Sequence, residues 1–202
     1  MPGRTPSLVI LGGPNGAGKS TAAPGLLRDA LSVTEFVNAD TIARGLSEFD
    51  PDAAAIAAGR VMLGRLDELE RSRTDFAFES TLASRSFGPR VARLRDAGYR
   101  IHAVFLWLPN ADMAVARVRE RKRRGGHGVP VATIRRRFVR GLRNFFDLYA
   151  PLGDSWRLYD NSKRVGPRLI VQASRGRQPE ICDEETWQAV LATLEAARRA
   201  KA

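Results

Sequence analysis

One cysteine, Cys182, stands in a chain of 202 residues, which excludes an internal disulfide and any cysteine-rich metal site. It reads as a small buried or surface apolar residue. There are only two histidines, so neither has the companions a histidine metal cluster needs. Long apolar runs are missing as well. The longest, Ile101–Leu108, falls far short of the ~20 residues that span a bilayer and reads as a buried strand. Another apolar run lies close to the N-terminus behind Arg4. It is too short for a secretory leader and leads into a glycine-rich motif rather than a cleavage site, so the expected location is cytoplasmic. Aromatics make up only 7%, and no repeat, low-complexity linker or domain boundary interrupts the chain.

Hydrophobic residues make up 44%, enough for an ordinary core, and the length suits one α/β domain spanning residues 1–202. Lysine and arginine number 33 against 22 acidic residues, a net charge of +11. Such an excess suits nucleic acid, or ligands carrying several phosphates. Much of it lies in Arg117–Arg143 and at Arg198, Arg199 and Lys201.

The periodicity alternates between strand and helix. Ser7–Leu11, Glu35–Asn38, Phe76–Glu79, Arg100–Leu108, Trp156–Asp160 and Leu169–Gln172 read as strands. Helices are expected over Lys19–Leu31, with Pro24 kinking it or delaying its start, and over Asp52–Ser72, with Asp50 or Asp52 near its start and Pro51 in its first turn. Further helices are expected over Arg85–Ala97, from Asn110 to Arg123, from Pro130 to Tyr149, and from Asp183 or Glu184 through about residue 200. Short connections between alternating elements predict an α/β fold of the P-loop NTPase, nucleotide-kinase-like kind: a parallel sheet flanked by helices.

Gly13-Pro14-Asn15-Gly16-Ala17-Gly18-Lys19-Ser20-Thr21 fits the pattern G-x-x-x-x-G-K-S/T, between an apolar strand and a helix. Glycines let backbone N–H groups curl round phosphates, and the helix N-terminus adds its dipole. Lys19 is placed to neutralise the β- and γ-phosphates of ATP or GTP, and the Ser20 hydroxyl to ligate Mg²⁺.

Asp40, in Phe36–Ala43, ends the next strand at the edge where ligands bind in such sheets. It could take a proton from an acceptor hydroxyl, or cap the helix at Thr41. Glu79, followed by Ser80 and Thr81, lies just past a strand at the same edge. It could bind substrate hydroxyls, hold Mg²⁺ through water, or serve as a capping carboxylate. Arg117, Arg121 and Arg124 share one helical face, and Arg136, Arg140 and Arg143 share another, opposite an apolar stripe of Ile134, Phe138, Leu142, Phe145 and Tyr149. Two arginine-laden helices joined by a glycine hinge have the form of a phosphoryl-transfer lid over about residues 117–143, although most of these arginines suit a solvated basic face equally well. His127, in the hinge, could touch substrate or fold back on the sheet. Asn161 could contact adenine, with a turn or helix cap as the alternative use.

Together GPNGAGKST, FVNADTIA, FESTL, RGGHGVP with IRRRF, and LYDNS, in that order from Leu8 to Ser162, resemble the zeta toxin family of P-loop kinases, in its compact branch of zeta toxin domain proteins. The resemblance implies an enzyme that transfers the γ-phosphoryl group of Mg·ATP to a sugar hydroxyl of UDP-N-acetylglucosamine, restrained by a small antitoxin protein. It implies Asp40 as catalytic base, Glu79, with its neighbours Ser80 and Thr81, in the sugar-nucleotide site, and Arg121 directed at the phosphates beside Lys19. Where the family carries a second such arginine, this chain has His127, followed by Arg135, Arg136 and Arg137. His127 and Arg136 are therefore further candidates for the substrate site.

Two other readings stand beside the sugar-nucleotide kinase. A P-loop kinase could act on a nucleoside, an antibiotic or a polynucleotide 5′-hydroxyl; the charge favours the last, but no aromatic stacking stretch accompanies the arginines. A nucleotide switch or motor acting through partners would be expected to carry a hydrophobic strand ending in paired acidic residues, which the sequence lacks.

Overall fold

The computed structural model describes residues 4–29, 31–47, 53–126, 128–163 and 165–199. The expected acidic helix start at Asp50 or Asp52, with Pro51, lies outside them, as does His127.

Among the described residues the six runs expected to be strands, joined by a short seventh strand that was not expected, assemble into one seven-stranded sheet. In chain order its strands are β1 (Ser7–Gly12), β2 (Glu35–Val37), β3 (Phe76–Ser80), β4 (Arg100–Trp107), β5 (Ser155–Asp160), β6 (Arg168–Ser174) and β7 (Glu180–Ile181). Their spatial order is β2-β3-β1-β4-β5-β6-β7. The pairs β2–β3, β3–β1, β1–β4 and β4–β5 are parallel. The sheet is parallel through these five strands, as expected, and turns antiparallel only at one edge. The short connection after Asp160 cannot accommodate a crossover, so β6 returns antiparallel to β5 and β7 antiparallel to β6. The result is a mixed α/β, mostly parallel P-loop kinase-like fold. The connection leaving β1 runs towards β2, and the one leaving β4 runs towards β5. The carboxyl ends of β1 and β4 therefore flank the crevice where α/β sheets bind ligands.

Helices cover both faces. α3 (Ala55–Arg71), α4 (Gly88–Asp96) and α8 (Glu184–Arg199) pack Met62, Leu66, Val91, Leu94 and Leu194 in one core with Leu8, Ile10, Phe78, Ile101 and Phe105. α1 (Lys19–Ala23) and α5 (Ala111–Arg123) pack Ala23, Ala114, Val115 and Val118 in the other, with Val9, Leu11, Val104 and Leu106. The alternation along β1 splits its side chains between these two cores, as a sheet covered on both sides requires.

α6 (Val131–Asn144) joins the two cores. Its Ile134 and Phe138 belong to the α5 side, whereas Leu142 and the following Phe145 belong to the opposite side. The crossing needs a close approach at Gly141, where a Cβ would overlap the carbonyl oxygen of Thr81. Asn144 fastens the same crossing by donating to the Leu82 carbonyl at 2.8 Å.

Two helices are wound differently from the expectation. At Pro24, which has no N–H for an α-helical bond, α1 passes into a π-helical turn, Pro24–Asp29. The expected helix to Tyr149 likewise becomes π-helical over Phe145–Tyr149, which buries both of those rings. α4 starts at Gly88 rather than Arg85, with Pro89 in its first turn, where a missing N–H costs nothing. α2 (Ala39–Leu46) and α7 (Ala150–Leu152) complete the fold. No helix among the described residues is long and apolar enough to cross a membrane.

Candidate active site

The loop between β1 and α1 wraps back on itself. Ala17 N–H donates to Pro14 O at 3.1 Å, and Gly18 takes φ +79°, a conformation that side chains rarely adopt. A Cβ at Gly18 would also lie 2.7 Å from Asn161 Nδ2, so glycine is required there twice over. Lys19 is 6% exposed, and its Nζ donates to Gly13 O at 2.8 Å and Pro14 O at 3.0 Å. Burial lowers its pKa, while the charges of Glu79 and then Asp40 oppose that shift and Arg121 adds to it. These interactions bring Asp40, Glu79 and Arg121, from three separate elements, to bear on one ammonium group.

Glu79, near the end of β3, is the hub of the site. Its Oε1 lies 3.6 Å from Lys19 Nζ, and its Oε2 accepts from the Ser20 hydroxyl at 2.8 Å. Asn38 Nδ2 donates to the same Oε2 at 2.7 Å and to Ser20 Oγ at 3.1 Å. Asn38 had no place among the sequence candidates. It is also the true N-cap of α2, for its Oδ1 accepts from Asp40 N at 2.8 Å and Thr41 N at 3.2 Å. This relieves Asp40 of the capping alternative and leaves its side chain exposed in the first turn of α2. The dipeptide Asn38-Ala39 before Thr41 is a local capping signal that could have revealed Asn38.

The loop is braced from behind. Asn161 Nδ2 donates to Ala17 O at 2.7 Å, so its amide is engaged in holding the phosphate loop rather than left open to adenine. Arg117 in turn donates to Asn161 O at 2.7 Å and Ser162 O at 2.6 Å. Ser162 N–H closes on Asp160 Oδ1 at 2.8 Å, the turn expected of that segment. Of the first helical arginine face, then, Arg117 serves the loop, Arg121 bears on Lys19, and Arg124 pairs with Glu120 at 2.8 Å. Arg136 lies on α6, where it borders a cavity with Arg140 and Arg143. Ser80 accepts the Leu82 N–H at 3.0 Å and, like Thr81, is half-buried beside Glu79.

The donor set suits a magnesium nucleotide. A glycine-lined loop on a helix start, one buried lysine and one hydroxyl already held by a carboxylate are the groups that triphosphate and Mg²⁺ require. Among the described residues no group of three or more His, Cys, Asp or Glu could hold a metal by itself. Ser20 with Glu79 could hold part of a cation's shell, which phosphate oxygens would complete.

Known structures share this architecture. Over 93% of this chain, the AvrRxo1-ORF1:AvrRxo1-ORF2 structure with ATP aligns at TM-score 0.69 and 15% identity. The present chain spans 64% of that one's length. The PezAT chromosomal toxin–antitoxin system of Streptococcus pneumoniae aligns over 96% of this chain and 88% of its own, at TM-score 0.62 and 14% identity. The Pnkp1/Rnl/Hen1 RNA repair complex aligns over 72% of this chain and 47% of its own, at TM-score 0.57 and 23% identity. At these identities the likeness is one of fold. An uncharacterised protein of Haemophilus influenzae is 28% identical over 126 residues, 62% of this chain and 88% of that protein. The family model named AAA domain matches residues 8–145, which contain the phosphate loop, Asn38, Asp40, Glu79 and Arg121, and the chain belongs to that family.

Proposed function

We propose that the protein is a phosphotransferase that moves the γ-phosphoryl group of Mg·ATP to a sugar hydroxyl of a UDP-amino sugar resembling UDP-N-acetylglucosamine. The observation that carries this reading is the convergence of Lys19, Ser20, Asn38 and Glu79 at the carboxyl edge of the sheet, with Asp40 and Arg121 in electrostatic reach of Lys19.

The residues divide the work by chemistry. The loop Gly13–Thr21 cradles the phosphates, and Lys19 leaves its carbonyl partners to neutralise them. Ser20 and Glu79 would hold the cation, which would supply charge neutralisation at the phosphates. Asp40, exposed and fixed through its backbone by Asn38, accepts the proton of the attacking hydroxyl. Arg121 stabilises charge on the transferring group. Ser80, Thr81 and Glu79 line the acceptor side, with Arg136 further along it. His127 belongs to the same proposal from sequence alone, since it lies outside the described residues.

Phosphoryl transfer from Mg·ATP to a panel of UDP-sugars tests this, with wild type run beside Asp40→Asn and Lys19→Ala. Labelled sugar nucleotide is expected from wild type, with a loss of about 10²–10⁴-fold in Asp40→Asn, as for removal of a general base. ATP hydrolysis with every UDP-sugar left unlabelled sinks the sugar-nucleotide reading.

A polynucleotide 5′-hydroxyl is the second acceptor class, favoured by the net charge of +11. A restraining protein partner is part of the proposal too. The structural neighbours solved as a toxin–antitoxin system and as a two-protein complex support it.

A further inference from the structure

Arg85, Arg136, Arg140 and Arg143 surround one open cavity of about 460 Å³, together with Ala83 and Asn144. Four guanidinium groups in one place repel each other, and elsewhere in the molecule several arginines are neutralised by carboxylates. Arg90 pairs with Asp67 and Glu70, Arg135 with Asp112, Arg168 with Asp183 and Arg198 with Asp147. Around the cavity no carboxylate pairs with any of the four among the described residues. Unpaired arginines gathered round one cavity suit the recognition of phosphate.

A second feature of the same cavity is independent of charge. Asn144 is 2% exposed, and its orientation is fixed by donation to Leu82 O, yet its Oδ1 has no hydrogen-bond partner among the described residues. That oxygen is shut off from solvent, so Asn144 forms part of the cavity wall and leaves recognition to the arginines.

The cavity is also close to the chemistry. Ala83 follows Glu79 by four residues, so their Cα atoms are at most about 14 Å apart along the chain. A ligand seated among the arginines can therefore extend a hydroxyl to the Glu79 edge. We propose that Arg85, Arg136, Arg140 and Arg143 form a second phosphate subsite, separate from the Gly13–Ser20 loop, that holds the phosphoester part of the acceptor. The inference rests on the kinase reading only for the word acceptor, since binding can be measured without transfer. Its chemistry, a phosphoester, is available from a nucleotide sugar or from a polynucleotide end.

The test is titration calorimetry on the full chain with its phosphate loop saturated by a non-hydrolysable Mg·ATP analogue. The probes are UDP-N-acetylglucosamine, a short 5′-hydroxyl RNA, and uridine as a phosphate-free control. Two variants are compared: Arg136→Gln/Arg140→Gln, and Arg60→Gln/Arg177→Gln, which removes equal charge from exposed positions elsewhere. A probe with phosphate should bind wild type at least about tenfold more tightly than the cavity variant, in line with the loss of charge-assisted hydrogen bonds. The control variant should bind like wild type, and uridine should bind neither strongly nor differently. Which phosphate probe binds identifies the acceptor class. Failure of both probes to bind wild type, or equal binding by both double variants, overturns the subsite. Intact binding with no transfer to either probe leaves the subsite standing and sinks the kinase reading instead.

Discussion

Asn38 and Glu79, from neighbouring strands, are joined at 2.7 Å, with the amide donating to the same carboxylate oxygen that accepts the Ser20 hydroxyl. The other end of the Asn38 amide caps α2 beneath Asp40. One side chain thus sets the orientation of the cation-side carboxylate and of the helix that carries the proposed base.

Substitution can separate those two duties. Asn38→Ala removes both, so melting should fall by the ~1 kcal/mol typical of a lost N-cap, together with transfer. Asn38→Asp keeps an acceptor for the N–H groups of Asp40 and Thr41 but turns a second carboxylate towards Glu79. Its melting temperature should stay nearer to wild type while its turnover falls as far as that of the alanine variant. Equal turnover in Asn38→Asp and wild type would contradict the joint role.

Arg117 braces the phosphate loop through a two-pronged bond to the carbonyls of Asn161 and Ser162, and Asn161 passes the constraint to Ala17. Arg117→Lys keeps the charge and loses the fork. The KM for ATP should rise in Arg117→Lys almost as much as in Arg117→Ala. If lysine restores wild-type KM, the charge rather than the bracing is what matters.

Gly141 lets α6 cross over the Thr81 carbonyl, and backbone on both sides leaves nothing flexible to give way. Gly141→Ala should destabilise the fold by about 1–3 kcal/mol, the usual penalty of overpacking, despite alanine's better helix propensity. Denaturant unfolding measures it, and a variant as stable as wild type would show that the crossing can relax.

The phosphate loop and its two flanking elements were legible because their signals are local: a glycine pattern, an apolar strand before it and a helix after it. Asp40 and Glu79 were legible as strand-end carboxylates, but what each touches was not. Asn38 meets Ser20 and Glu79 only when three parallel strands set their ends side by side, and neither composition nor spacing encodes that register. Arg85 and Arg136 meet for the same reason, from either side of β4 in the chain. The antiparallel return of β6 was missed because the apolar pattern of Leu169–Gln172 carries no strand direction. The π-helical turn at Phe145–Tyr149 left no sequence signal, whereas the one at Pro24 announced itself through a missing N–H.

Tyr149 makes alkaline stability the most direct probe of the crossing between α6 and the segment after β3. Its ring is fully buried, and its hydroxyl donates to Ser84 O at 3.1 Å. Burial pushes its pKa up to about 12, against opposing pulls from Arg85 and the backbone of Phe87. An unfolded tyrosine titrates near 10, so between roughly pH 10 and 12 the unfolded chain loses this proton while the folded one keeps it. Above pH 10 the unfolded state then binds fewer protons, and the stability Tyr149 supplies, complete below that pH, is lost as pH rises through the folded value. Urea unfolding of wild type and Tyr149→Phe, from about pH 9 to about pH 12, isolates the effect. At pH 9 the phenylalanine variant should be less stable by about 1 kcal/mol for its lost hydrogen bond. Its decline above pH 10 should be shallower than that of wild type, so the two curves converge. Parallel curves would mean that the Tyr149 proton is released as easily in the folded chain as in the unfolded one.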